Sequence, residues 1–413
     1  MKINKELKDI LLNRILFSLA ILFVIRIGTF LPVPGINHSE LAFYLESHSV
    51  AKNLISTFSG ENTFVIGVFT LNIFPYINAT IFIQLLLGFS PKLAKLQKEG
   101  DFNGRRSISR LTRLITLIWA VIQSVGVTLY LKPILFEWNF NLAAEIVLWL
   151  TAGAMIVLWL SEQITDYGLG NGTSLLVYTN IISNLPNIFK KLIVENTENF
   201  TFSSTLVISL LIFSSLYGIV FLQKGIRKIP LVSSKQLNQL SVQKETNTYL
   251  PLRLNQAGVM PIILTTAFLV IPNYIINLGV FKWLNFLTSF KFFYWIGYVV
   301  LILTFSSFYS SVVLKPKDLS DQLQKMAVTI PGIRPGLQTT FYLKQVIKRI
   351  TLLGATLLAI IVVVPNFIES TLNISGLSNL STTSLLILAG VILDLIREIE
   401  NIYYSTVYDD MYQ

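Results

Sequence analysis

The chain of 413 residues is 53% hydrophobic and only 13% charged, and its mean hydropathy is +0.64. These values exclude an ordinary soluble globular protein and indicate a polytopic membrane protein. Cysteine is absent, which excludes disulfides, a thiolate nucleophile and a cysteine-ligated metal. The two histidines, His38 and His48, share one hydrophilic segment that offers no further plausible ligands, so we expect neither a metal site nor a cofactor.

Continuous apolar runs recur along the chain, each near the roughly 20 residues that a transmembrane helix needs. A membrane barrel would instead show alternation with a period of two. The expected fold class is therefore an all-α polytopic membrane protein with about ten transmembrane helices. The predicted spans are residues 15–32, 71–90, 111–131, 143–161, 173–189, 203–222, 257–276, 292–314, 350–365 and 383–396.

Lysine and arginine are distributed unevenly among the connections. The side that holds both termini carries 25 of the 32 basic residues, and the other side carries 6. By the positive-inside rule the basic side is cytosolic or its topological equivalent. Most of the net charge of +10 lies in three loops on this side, which either dock an acidic or nucleic-acid-rich partner or serve only to set the topology.

The second span carries polar groups that a lipid-facing helix avoids. One helical face passes from branched apolar to polar residues, at the positions i, i+4, i+7 and i+11. This face either lines a constricted, partly wet cavity or makes polar contacts between helices. Its members are Ile73, Ile77, Thr80 and Gln84.

The preceding segment, residues 52–70, is too short and too interrupted by polar residues to cross the membrane. It is expected either to be half inserted, lining a cavity, or to form an external amphipathic loop.

Ten spans divide into two halves of five, residues 1–190 and 191–413. Because five is odd, the second half enters the membrane from the opposite side, so any similarity between the halves is an inverted repeat. No clear sequence repeat is visible. The second half carries two charged loops, residues 224–254 and 314–349.

Six stretches of the chain together resemble the SecY family of protein-conducting channels. They occur in the order that the family shows and cover nearly the whole chain, which makes the match specific. The stretches are FVIRIGTFLPVPGIN, NIFPYINATIFIQLL, KEGDFNGRRSISRLTR, SEQITDYGLGNGTSLLVYTNIISNLP, LPLRLNQAGVMPIIL and DLSDQLQKMAVTIPGIRPGLQTTFYLKQVIKRITLLGA.

The resemblance implies two inverted five-helix halves around a central hourglass pore, a lateral gate to lipid, and a short plug helix at about residues 55–64. It also implies a ring of six side chains at the constriction. Residues 73 and 77, and residues 173 and 177, are i, i+4 pairs that face one way on a helix. Thr173 stands where the family usually has an aliphatic residue. The ring is therefore more polar, and closure of the pore is expected to depend more on the plug. The implied ring residues are Ile73, Ile77, Thr173, Val177, Ile263 and Ile387.

The same resemblance implies a lateral gate that includes Asn78 and Gln123, with a simple contact between helices as the less favoured explanation of Gln123. It also implies a partner-docking loop at residues 330–336, where Pro-Gly turns present Arg334 stiffly. Arg253 is a weaker docking candidate. Either arginine is also explained as a residue that fixes topology.

The implied function is that of the central subunit of the Sec translocase. It is a passive pore for unfolded preproteins, across the membrane and laterally into it, driven by the SecA ATPase or a ribosome, and not an enzyme. The implied partners are SecE-like and SecG-like small membrane subunits, signal sequences and lipid. A short acidic C-terminus and a composition rich in Ile, Asn, Lys and Phe favour a plastid-encoded protein of the thylakoid membrane, with the bacterial plasma membrane as the alternative.

The residues disfavour two other functions. A secondary solute transporter with broken helices usually keeps an ionisable residue at mid-membrane. Here the obvious charge within a span is Arg26, and no acidic residue lies at the centre of a span, which disfavours ion coupling. An intramembrane hydrolase needs a paired nucleophile and base or a metal cluster, and the sequence shows neither, so no catalytic residue is assigned.

Overall fold

The structure is a computed structural model that describes residues 2–37, 66–89, 102–132, 138–195, 202–233, 248–256, 258, 260–262, 264–265, 291–372 and 382–412. The chain forms two compact units, Met1–Ile193 with Val391–Gln413, and Val194–Gly390. The predicted boundary between halves, at residues 190 and 191, stays a prediction. The first unit also takes in the end of the chain.

Long helices dominate the described residues. They are α1 Lys2–Phe30, α2 Phe74–Phe89, α3 Phe102–Tyr130, α4 Phe140–Tyr167, α5 Gly172–Glu195, α6 Phe202–Lys224, α7 Lys291–Val313, α8 Pro316–Lys325, α9 Leu337–Leu372 and α10 Thr382–Tyr412. Among the described residues, five segments are long and apolar enough to cross a membrane, and α2 and α6 contain shorter apolar helices. The all-α polytopic fold expected from the sequence is confirmed.

In the first unit, α2 packs on α3, α3 on α4, and α1 on α4. Apolar side chains from α3, α4 and the segment before α2 form one core cluster, which includes Ala120, Leu150 and Leu71. Between α3 and α4, the Ser124 and Thr151 hydroxyl oxygens lie 3.1 Å apart and share a hydrogen bond. Because the Ser124 hydroxyl also donates to the Val121 carbonyl at 2.9 Å, the contact mainly gives the Thr151 hydroxyl a partner on the neighbouring helix.

The segment 66–73 is clamped between α1 and α4 before α2 begins. The Val68 N–H donates to the Leu31 carbonyl at 2.9 Å, and the Val33 N–H donates to the Ile66 carbonyl at 3.0 Å. A Cβ atom on Gly153 of α4 would collide with the carbonyl oxygen of Val68. The absence of that atom therefore lets α4 approach the backbone of the segment.

In the second unit, α9 packs against α6, α7 and α8. The Ser310 and Thr351 hydroxyl oxygens lie 2.7 Å apart, between α7 and α9. Four short strands accompany these helices: β1 Ile226–Pro230, β2 Val232–Ser233, β3 Tyr249–Arg253 and β4 Val328–Thr329. β1 pairs antiparallel with β3, and β2 pairs antiparallel with β4. The two charged loops of this unit are thus joined by backbone hydrogen bonds.

The element boundaries differ from the predicted spans in an informative way. The second span was predicted from residue 71, whereas α2 begins at Phe74 because Asn72 has a φ of +46°, which no helical residue adopts. Pro75 then fits the first turn, where its missing N–H has no partner to lose. Of the predicted span 257–276, only residues 258, 260–262 and 264–265 are described.

Candidate channel lining and loop platform

Ile73 lies at the start of α2 and at the centre of an apolar cluster in the first unit. Its carbonyl accepts the Ile77 N–H at 3.1 Å, so it initiates the helix without belonging to it. Its side chain is 1% exposed and packs with residues of α1, α4, α5 and the clamped segment. We call this group the Ile73 cluster; its members are Ile25, Phe69, Ile73, Val157, Leu158 and Leu176.

Two further predicted ring residues pack against this cluster. Ile77 of α2 and Val177 of α5 are half-buried, and each contacts the Ile73 cluster from its own helix. The structure therefore brings three of the predicted ring residues together within the first unit. Ile73 is enclosed by its neighbours, whereas Ile77 and Val177 keep surface that a channel could use.

Thr173 occupies the first turn of α5, where Asn171 caps the helix. The Asn171 side-chain oxygen accepts the Thr173 N–H at 3.1 Å and the Thr173 hydroxyl at 2.8 Å. The hydroxyl of this predicted ring residue is thus satisfied locally. Of the remaining two, Ile387 is half-buried on α10 within the second unit, and Ile263 lies outside the described residues.

The predicted gate residues lie on two helices that pack together, Asn78 on α2 and Gln123 on α3. Both side chains are half-buried. The Gln123 Oε1 atom is buried, and among the described residues it has no hydrogen-bond partner. An unpaired buried acceptor destabilises the arrangement that buries it, so Gln123 does not hold α3 in place through that atom.

A polar pair that sequence reasoning missed joins the start of α2 to α5. The Asn72 Nδ2 donates to Asn180 Oδ1 at 3.2 Å, across 108 residues of sequence. The Asn72 side chain is 3% exposed, and its own Oδ1 has no partner among the described residues. Spacing within one helix could not have revealed this contact, because Asn72 precedes α2 and Asn180 lies on α5.

The loop 330–336 is held firmly while its arginine stays exposed. Ile330 and Ile333 pack into a cluster of the second unit, and the Ile333 N–H donates to the Ile330 carbonyl at 3.1 Å. The Thr339 hydroxyl donates to the Arg334 carbonyl at 2.9 Å. Gly332 and Gly336 take φ values of +79° and +102°, which favour glycine. The Arg334 side chain itself is exposed.

Arg253 ends β3 and pairs in register with Ile226 of β1. Its side chain is exposed, while its neighbour Leu252 is buried in the same cluster as Ile330. The two candidate docking arginines therefore stand on one apolar base. We call this base the platform cluster; its buried members are Ile229, Leu252, Leu323, Ile330, Leu343, Val346, Ile347 and Ile350.

The platform also exposes apolar side chains that sequence reasoning did not single out. Leu337 and Phe341, one helical turn apart on α9, are 90% and 64% exposed. α9 has 36 residues and is about 54 Å long, against about 30 Å for the hydrocarbon core. Because Lys344, Lys348 and Arg349 precede its most apolar part, we place its first turns outside the hydrocarbon.

Two other expectations fall on residues outside the described part of the chain. These are the plug, at about residues 55–64, and the histidines His38 and His48. Within the described part, no three His, Asp or Glu side chains are grouped so that they could hold a metal ion.

Comparison with known proteins identifies strong relatives along the whole chain. The family model named SecY matches residues 67–396. "Protein translocase subunit SecY" of Trieres chinensis is 60% identical over 418 residues, covering 98% of each chain. The proteins of the same name from Guillardia theta and Synechococcus elongatus are 42% and 38% identical, covering 98% and 97% of this chain and 97% and 94% of their own.

Solved structures of two channels share the fold. The first, described as "The structure of a protein conducting channel", has a TM-score of 0.64 at 14% identity and covers 97% of this chain and 94% of its own. The second, Sec61 in a canine ribosome-channel complex from the endoplasmic reticulum, has a TM-score of 0.59 at 14% identity with the same coverage. Neither group of comparisons favours a solute transporter.

Proposed function

Since the chain belongs to the SecY family and is the central subunit of a protein-translocation channel, we propose that it works as a passive pore. Unfolded preproteins cross the membrane through it or leave it sideways into lipid. The observation that carries this proposal is the meeting of Ile73, Ile77 and Val177 at one apolar cluster. Aliphatic side chains offer a passing ion no compensation for lost hydration, yet they yield to a polypeptide.

In this proposal the constriction is formed by Ile77 and Val177, backed by the enclosed Ile73, together with Thr173, Ile263 and Ile387. The last three are assigned by resemblance to the family. The plug at about residues 55–64 closes the outer funnel, and Asn78 and Gln123 belong to the lateral gate. Signal sequences open the gate by exchanging their own contacts for weak contacts between helices.

The energy for transport comes from a partner that docks on the platform, because a passive pore supplies none. The exposed Arg334 and Arg253, on a rigid apolar base, suit an acidic partner surface. The exposed Leu337 and Phe341 add the apolar contact area that a protein partner buries. The SecA ATPase is the proposed partner. A ribosome is the second candidate, since the canine relative was solved in a ribosome-channel complex.

SecE-like and SecG-like small membrane subunits complete the proposed complex. The protein is a multi-pass membrane protein, and we place it in the thylakoid membrane with both termini on the stromal side. The algal and cyanobacterial origin of its relatives supports this placement. The bacterial plasma membrane is the alternative.

Reconstitution tests the proposed function directly. The complex is purified from its native membrane with its co-eluting chains and inserted into liposomes. A preprotein should become protected from external protease only when SecA and ATP are both present. Protection without SecA, or accumulation of a small solute driven by an ion gradient, would contradict the proposal.

A further inference from the structure

Asn72 is buried and Asn180 is half-buried, and their amide pair carries two costs that a glycine at position 72 would avoid. Asn72 adopts a φ of +46°, a left-handed conformation that asparagine tolerates better than most residues with a side chain but less well than glycine. Its Oδ1 atom is also buried in a membrane-embedded unit, and within the described part of the chain this atom has no hydrogen-bond partner. Such costs persist where the surrounding structure requires the side chain, and they mark positions worth testing for function.

The single bond of this pair, 3.2 Å from Asn72 Nδ2 to Asn180 Oδ1, connects the two places that carry the candidate lining. Asn72 directly precedes Ile73. Asn180 lies three residues after Val177, and residues at this spacing share a face of a helix. The bond therefore fixes the position of Ile73 relative to Val177 in a way that apolar packing, which is not directional, does not.

The segment that carries Asn72 is already anchored on its other sides. Backbone hydrogen bonds tie residues 66 and 68 to the chain after α1, and Gly153 lets α4 approach Val68. The amide pair is the side-chain hydrogen bond that extends this anchoring to α5. The pair makes one bond, and the Asn72 Oδ1 has no partner among the residues that the structure describes, so the pair orients the two elements and is still released at low cost.

We propose that the Asn72–Asn180 pair is a latch that positions the candidate lining of α2 and α5 in the resting channel. This proposal rests on the proposed function, because the latch matters only if Ile73, Ile77 and Val177 belong to the pore ring. The members of the latch are positioning residues. They set how closely the aliphatic side chains approach one another, and their loss loosens the resting seal without removing any lining side chain.

Three variants test the latch in planar bilayers: Asn72→Gly, which keeps the left-handed backbone without strain, Asn180→Ala, and the double variant. Each single variant should raise the resting ion conductance about fivefold, the shift that loss of one hydrogen bond between membrane helices produces in a two-state equilibrium. The double variant should conduct no more than either single variant, since all three lack the same bond.

The matched control is Thr179→Ala. Thr179 is the neighbour of Asn180, and its hydroxyl donates to the Leu175 carbonyl within α5, so its loss should leave the conductance unchanged. Thermal unfolding of each complex is measured in parallel. Single variants that unfold earlier but conduct like the parent would show a purely structural pair and overturn the latch, as would additive conductance changes in the double variant.

Ile77→Ser in the same preparation separates this proposal from the assignment of the pore lining. If Ile77→Ser raises the conductance and the asparagine variants do not, the latch is wrong and the lining stands. If Ile77→Ser leaves the conductance unchanged, the lining is wrong, and the latch, which depends on it, is overturned with it.

Discussion

Thr173 is a polar residue at a position of the proposed apolar ring. Its hydroxyl and its N–H both donate to the Asn171 side-chain oxygen, so the hydroxyl needs no partner in the pore. Its methyl group remains available for packing. A polar residue at this position is therefore compatible with a hydrophobic ring, at the cost of a smaller apolar surface.

Thr173→Ile should tighten the resting seal if the side chain lines the ring. The substitution removes the hydroxyl bond to Asn171 and leaves the backbone bond, so the stability change should stay within about 1 kcal/mol. The ethyl group that replaces the hydroxyl fills space in the constriction, and the resting ion conductance should fall. An unchanged conductance would remove Thr173 from the proposed ring.

Substitution of Arg334 tests the proposed docking role most directly. Arg334→Glu should leave the protein inserted and stable, because the side chain is solvated and only its carbonyl is used by Thr339. Partner-driven translocation should fall at least about thirtyfold, the scale of a desolvated charge pair broken at an interface. Preprotein protection in proteoliposomes measures it.

The control for this variant is Lys325→Glu, which changes the net charge equally at an exposed position of the same loop region. Equal losses from both variants would indicate a general basic field, and a normal rate in Arg334→Glu would refute the docking role.

The lateral gate depends on the free energy needed to separate α2 and α3 from their neighbouring helices. Exchanging Asn78 and Gln123 for leucine should shift the open/closed equilibrium by about 1 kcal/mol, or about fivefold. Because Gln123 Oε1 has no partner among the described residues, its replacement by an apolar side chain should not lower thermal stability.

Translocation of preproteins with weak and strong signal sequences measures the gate. The double variant should process weak signals differently from the parent. Thr128→Val is the control, since its hydroxyl donates to the Ser124 carbonyl within α3. Unchanged handling of both signals would show that Asn78 and Gln123 only pack.

The hydropathy of the sequence predicted most of the long helices, because a run of about 20 apolar residues has one stable structure in hydrocarbon. It did not predict the strands IRKIP and YLPLR, whose prolines and charges hide their pairing. The turn chemistry of residues 330–336 predicted a stiff loop around Arg334. The Asn72–Asn180 contact was beyond prediction, since it depends on where the segment before α2 lies relative to α5.

Two hydroxyl pairs bear on the predicted inverted repeat. Ser124 and Thr151 join the third and fourth spans of the first half, and Ser310 and Thr351 join the eighth and ninth spans, which are the third and fourth of the second half. Each half thus has a hydroxyl contact between its third and fourth spans, but the four residues lie at different positions along those spans, so the inverted repeat stays a prediction.

The two units contribute different parts of the proposed function. The first unit holds three candidate lining residues at the Ile73 cluster, and the second holds the platform and Ile387. Docking at the platform and sealing at the lining are thus separable by mutation. A variant of either part should impair its own step and spare the other.

The proposed ring blocks ions in the resting channel because its side chains are apolar. Ile77→Ser combined with Ile263→Ser places two hydroxyl groups where the proposed ring offers ions none. A hydrated ion then loses less stabilisation on entering the constriction, and the resting ion conductance should rise about tenfold, which corresponds to a barrier about 1.4 kcal/mol lower. Preprotein transport should persist, because a polypeptide needs only room. Planar-bilayer recordings measure the first quantity and protease protection the second.

Ile118→Ser is the matched control for this prediction, because Ile118 on α3 is 47% exposed and lies outside the Ile73 cluster. It changes the same chemical group away from the proposed lining, so it should not alter the conductance. If the double variant conducts no more than Ile118→Ser, the ring assignment is wrong. Membership of the SecY family is not affected by that result.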